Sequence, residues 1–172
     1  MVSTFSWVEY TATPGNASAS GVPTNLNLGS TNAVDLAPST YPITAGTYSY
    51  AKWVRGMWTG SFTRVDNIQF WKSAGDYVGS EALNTSVTTG TFSATDFLTP
   101  TNDQETKASV AMPTADPGTQ NVGVGGSLTG SITSSTAGSN ECDYIVIQAS
   151  IGAGASAGAT NTKTFTLQYD EI

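Results

Sequence analysis

Residues 48–72 read Tyr48-Ser-Tyr-Ala-Lys-Trp-Val-Arg-Gly-Met-Trp-Thr-Gly-Ser-Phe62-Thr-Arg-Val-Asp-Asn-Ile-Gln-Phe-Trp-Lys72, and they hold three of the chain's four tryptophans and four of its six cations. Side chains alternate across a strand, so parity sorts this stretch into faces. One face of the first run carries Tyr48, Tyr50, Val54, Trp58 and Phe62, with Lys52 as the polar exception. The opposite face carries Ser49, Ala51, Trp53, Arg55, Met57 and Thr59. The first set can build a core, and the second cannot join that same core. After a tight link at Thr63-Arg64 the alternation resumes, with Ile68 and Phe70 on one side and Asn67, Gln69 and Trp71 on the other. Two long neighbouring strands follow from this pattern. Gly56 and Gly60 are the expected bulge or bend points of the first.

Working outward, Phe5-Ser-Trp-Val-Glu-Tyr10 alternates as well, placing Phe5 and Trp7 on one side and Val8 and Tyr10 on the other. Residues 11–20 are turn-rich and read as a mobile connection. Residues 24–29 are a candidate edge strand, and 30–47 an extended loop punctuated by Pro38 and Pro42. Further short strands are expected at 85–92 and 107–112, and weakly at 127–133. Residues 143–151 are apolar on both faces, as in a central strand. Residues 152–161 read as a Gly/Ala loop. Residues 164–169 alternate cleanly, with Phe165, Leu167 and Tyr169 inward. Some eight strands separated by turn signals, with no convincing helix, predict an all-β antiparallel β-sandwich or jelly roll. One domain is expected at 36–172, preceded by an N-terminal strand and extended arm at 1–35.

Composition narrows the function. There is no histidine, so Ser-His-Asp and Cys-His catalysis and His-containing metal sites are out of reach. The single cysteine, Cys142, cannot form an intrachain disulfide, and its acidic neighbours Glu141 and Asp143 would raise its thiol pKa. A net charge of −7 argues against direct nucleic-acid binding. No apolar run approaches the ~20 residues of a membrane helix, and residues 1–5 lack the look of a secretion signal. No enzyme, cofactor or metal is expected. The carboxylate pairs Asp76/Glu81, Asp103/Glu105, Glu141/Asp143 and Asp170/Glu171 have no calcium-loop spacing. Asp103 with Glu105 is the least improbable cation site among them.

A face presenting Trp, Arg and Met together is unusual for bare solvent and common at the centre of protein contacts. Trp53, Arg55, Met57 and Trp71 are therefore the expected protein interface, joined by Phe5 and Trp7 from the N-terminal strand docking on a sheet or a neighbouring copy. Flat aromatics also stack on sugars, which makes a carbohydrate-binding face the rival. Trp58 shares its face with Val54 and Phe62 and is expected in the core.

The runs Thr24-Asn-Leu-Asn-Leu-Gly-Ser30, Tyr48-Ser-Tyr-Ala-Lys-Trp-Val-Arg55, Gly60-Ser-Phe-Thr-Arg-Val-Asp-Asn-Ile-Gln-Phe-Trp-Lys-Ser73 and Asp143-Tyr-Ile-Val-Ile-Gln148, with the ending Phe165-Thr-Leu-Gln-Tyr-Asp-Glu171, resemble small virion structural proteins of tailed bacteriophages, of the capsid decoration or cement type. The resemblance is one of style and order from about Thr24 onward. It implies a β-rich protein on the capsid exterior, a homo-trimer clamping the major capsid protein, with no catalytic residues. A carbohydrate-binding or fibre-type virion module is the alternative.

Overall fold

The computed structural model describes residues 2–13, 16–87, 100–101, 104, 108, 110–155 and 161–172. Their strands are β1 (Ser3–Thr13), β2 (Asn16–Gly21), β3 (Lys52–Gly60), β4 (Val65–Ala74), β5 (Glu81–Thr85), β6 (Val110–Ala111), β7 (Ile145–Ile151) and β8 (Thr164–Glu171), and no helix occurs among the described residues. A six-stranded sheet has the order β2-β1-β3-β7-β5-β6, and β4 pairs with β8 in a second sheet. Every pairing is antiparallel.

β1 and β3 run together without a register break from Ser3↔Gly60 to Tyr10↔Trp53. This register sets Phe5 opposite Trp58 and Glu9 opposite Val54, so one face gathers the bulky rings and the buried Glu9–Lys52 pair. Gly56 is not a bulge. A Cβ there would stand 2.8 Å from the Trp58 ring and 2.9 Å from that of Phe5, so the glycine makes room for two aromatics. Gly60, at φ +91, is the last residue of the strand.

Residues 11–13 and 16–20 are strand and not a loose connection: β1 continues to Thr13, and β2 pairs antiparallel with it. Threonine favours a pleated surface, but the small residues around it hid the period-2 signal. Residues 3–13, expected as part of an arm, lie between two strands of the large sheet. Residues 24–29 form no strand; Gly29 accepts a single backbone bond from Tyr50. β5 ends at Thr85 and so meets the strand expected at 85–92 at one residue only, with residues 88–99 outside the described residues. Of the strand expected at 107–112, Val110–Ala111 form β6, and residues 107 and 109 lie outside the described residues.

The two sheets share one core. Val54, Trp58, Leu83, Ile145 and Ile147 of the large sheet pack with Val65, Ile68 and Phe70 of β4, and Phe165, Leu167 and Tyr169 of β8 pack against them partly buried. Ring contacts stitch the layers, with Trp7–Phe70 centroids at 5.9 Å and Trp58–Tyr169 at 5.2 Å. The outer edge of β4 is closed by irregular chain. Val65 and Ile132 exchange both backbone bonds, Lys72 N–H donates to the Pro113 carbonyl, and the Asn121 amide mimics a strand by accepting from Phe70 N–H (2.8 Å) and donating to Phe70 C=O (2.9 Å). The weak strand expected at 127–133 reduces to isolated bridges at Ser127 and Ile132.

The other face of the large sheet carries a separate cluster of Val8, Tyr10, Ala51, Trp53, Ala108 and Val146, with Met57 and Tyr144 partly buried against it. The alternation in residues 48–62 thus feeds two cores, one on each side of β3.

Candidate interaction site

The six side chains expected at an interface do not form one patch. Although β3 and β4 are consecutive in sequence, they lie in different sheets, which separates Trp71 from Trp53, Arg55 and Met57. Trp53 is 2 % exposed and packs edge-on to Tyr144 at 5.5 Å; Trp71 is 8 % exposed. Both rings are buried within the single chain, so the expectation that they face outward is corrected. Parity showed which residues share a face, but could not show that the second face is covered as well. Phe5 and Trp7 point to the shared core, Phe5 lying 5.2 Å from Trp58.

Arg55 and Met57 remain half-buried on the second face, and around Arg55 the chain builds a polar centre. Its Nη1 donates to Glu141 Oε2 at 3.0 Å, and Tyr10 Oη donates to the same oxygen at 2.7 Å. The guanidinium carbon stands 4.0 Å from the Tyr144 ring centroid and 5.8 Å from that of Tyr10, within cation–π range of both. Glu141 is delivered by a bridge to Met57 and by the Cys142 N–H bonded to Gly56 C=O at 3.0 Å. Burial, then the bond to Glu141, pushes the Tyr10 hydroxyl well above its ordinary value; burial also raises that of Tyr144. Glu141 neutralises the guanidinium, and the two tyrosines are held protonated, so the centre is a charge-balanced polar cluster set among apolar side chains.

Sequence reading singled out Arg55 but missed Tyr10, Tyr144 and Glu141 as its companions. The available signal was an arginine beside hydrophobic positions, which needs an acid from elsewhere in the chain. Lys52 gave the same signal. It bonds Glu9 at 2.6 Å, with the two side chains 6 % and 1 % exposed, and reaches the Ala33 carbonyl at 3.3 Å. The Cys142 thiol is fully buried and pushed up to about 12, by burial first and by the flanking acids only as lesser causes.

The carboxylates proposed as pairs turn to separate partners. Glu81 bonds Lys163 at 2.9 Å, Asp143 accepts Gly126 N–H, Asp170 accepts the Asn67 amide, and Glu171 accepts Ser3 N–H and hydroxyl. Among the described residues no group of three or more acids or cysteines is placed to hold a metal. Asp103 and Glu105 lie outside the described residues. A groove of about 1470 Å³ opens where loop 23–45 meets the start of β8, lined by Trp7, Asn25, Leu26, Asn27, Tyr41, Ile43 and Phe165 among others. No family model, curated protein or solved structure matches the chain.

Proposed function

We propose that the chain is a capsid decoration protein of a tailed bacteriophage, a β-sandwich of jelly-roll type that binds the outer head surface and bridges neighbouring copies of the major capsid protein without covalent chemistry. The observation that carries this reading is Arg55, its side chain 25 % exposed and backed by Tyr10, Tyr144 and Met57 on the second face of the large sheet. These are residue types concentrated at contact centres, presented on a chain with net charge −7. The resemblance of the runs 24–30, 48–55, 60–73, 143–148 and 165–171 to virion proteins supplies the partner and the expectation of a trimer. Several modest contacts made together suffice for stable attachment.

The test is co-sedimentation with undecorated heads of the phage that encodes the chain, comparing the native protein with R55A/M57A. Binding that drops at least about tenfold in a variant with a native melting profile supports the reading. Absence of head binding by the native chain overturns it. The groove beside Trp7 and Tyr41, with Asn25 and Asn27 on its wall, favours carbohydrate binding as the second reading. A glycan array run in parallel, positive where head binding is negative, selects that one.

A further inference from the structure

β8 has a strand neighbour on one side only among the described residues. Among the described residues its ladder partner is β4, and the backbone bonds beyond that ladder fall on Ile172, which pairs with Thr63 and Arg64. Two of the other edges, those of β4 and β6, are treated differently. β4 is closed by Ile132, Asn121 and Pro113, and β6 is two residues long. Proteins ordinarily blunt a long exposed edge with lysine, proline or a bulge. The eight residues of β8 contain neither lysine nor proline. Both register shifts in the β4–β8 ladder place the extra residue on β4, which leaves β8 unbroken.

Its apolar row is also incompletely covered. Ile68 and Phe70 on β4 are 0 % exposed, whereas Phe165, Leu167 and Tyr169 are each only partly buried. That row has the form aromatic–Leu–aromatic about Leu167, so it is complementary to itself when reversed. Antiparallel pairing of two copies centred on Leu167 keeps both apolar rows on the same side. It sets Phe165 against the partner's Tyr169 and Thr166 against the partner's Gln168. We propose that β8 is the edge through which a second copy of this chain adds, making a continuous four-stranded sheet in the order β4-β8-β8-β4. The contact is isologous: the ladder supplies the attraction, and the aromatic cross-strand pairs fix the register. It does not rest on the decoration reading, and its two-fold symmetry differs from the three-fold association implied by the resemblance.

Sedimentation velocity on the full chain, across a micromolar concentration series, is the experiment. Native protein is expected at the mass of two copies. T166K/Q168K places lysine opposite lysine twice and should weaken the dimer at least about tenfold, while T166K/Q168E places opposite charges together and should restore it. If T166K/Q168K does not fold, T166C/Q168C decides, because oxidation should give a covalent dimer while buried Cys142 stays silent. A native chain that remains monomeric up to about 0.1 mM overturns the proposal, as does a three-copy mass or any oligomer indifferent to both charge variants. Absence of the covalent dimer in T166C/Q168C overturns it as well.

Discussion

Replacing Lys52 with methionine isolates the buried ion pair. Glu9 is 1 % exposed and one of its oxygens, Oε2, has no hydrogen-bond partner, so Lys52 is the main compensation for its charge. Burial already holds the Glu9 carboxyl above its ordinary value of 4.5, outweighing the bond and charge of Lys52, with the charge of Asp35 adding to the rise. The folded chain therefore binds this proton more tightly than the unfolded chain. It follows that the Glu9 contribution to stability falls as pH rises above the ordinary carboxylate value. K52M removes the groups that oppose the rise, so Glu9 enters the folded state protonated over a wider pH range. Between pH 5 and pH 8 that adds at most three units at about 1.36 kcal/mol each, a ceiling of about 4 kcal/mol. This agrees with the ~3–5 kcal/mol lost when one partner of a buried pair is deleted. Urea unfolding followed by tryptophan fluorescence should show K52M strongly destabilised at pH 8 and much less so at pH 5. E9M/K52M should recover most of the loss at both. A K52M variant within about 1 kcal/mol of native at pH 8, or equally impaired at both pH values, would refute the reasoning.

Three further outcomes are expected. G56A pushes a methyl to 2.8–2.9 Å from the rings of Trp58 and Phe5 and should destabilise by about 1–3 kcal/mol in thermal or urea melts. N121A leaves the N–H and C=O of buried Phe70 unpaired on the outer edge of β4; a loss of about 2–4 kcal/mol is expected, and a loss under about 1 kcal/mol would show that water replaces the amide. Cys142 should resist thiol reagents in the native state and react only as fast as the chain unfolds, because it is fully buried with its thiol raised to about 12. Rapid labelling under native conditions at neutral pH would contradict its placement.

The parts of the fold that came from the residues were those with strong period-2 contrast or a continuous apolar run. Residues 3–13, 52–60, 65–74 and 164–171 carry bulky residues in alternation, residues 145–151 form an apolar run between turn signals, and each is a strand within a few residues of the expected bounds. β2 was missed because Ala, Ser and Asn provide no contrast between faces. The cap on β4 was not legible either, since Asn121 acts as a strand only once Phe70 is beside it. At the site, parity placed Trp53, Arg55 and Met57 on one face correctly. It then failed on what that face meets, because Tyr144 and Glu141 lie roughly ninety residues further along the chain and nothing local announces them. The assumption that consecutive strands are spatial neighbours, true of most chains, also failed between β3 and β4, where the link at residues 61–64 crosses from one sheet to the other.

The position of β3 in the large sheet has a consequence for biosynthesis. Its neighbour on one side, β1, precedes it, but its neighbour on the other is β7, reached through pairs such as Lys52↔Ile147. During translation at about 5–20 residues per second, some 4–17 s elapse between the appearance of the end of β3 and the start of β7. Throughout that interval β2, β1 and β3 can pair among themselves, yet the nascent ribbon shows aromatic rings on both faces and an unclosed edge along Trp53 and Val54. Phe70 of β4 follows within about 2 s, but neither Tyr144 nor β7 can shield the second face and the open edge until the chain is nearly finished. Closure of the large sheet is thereby deferred to the last third of synthesis.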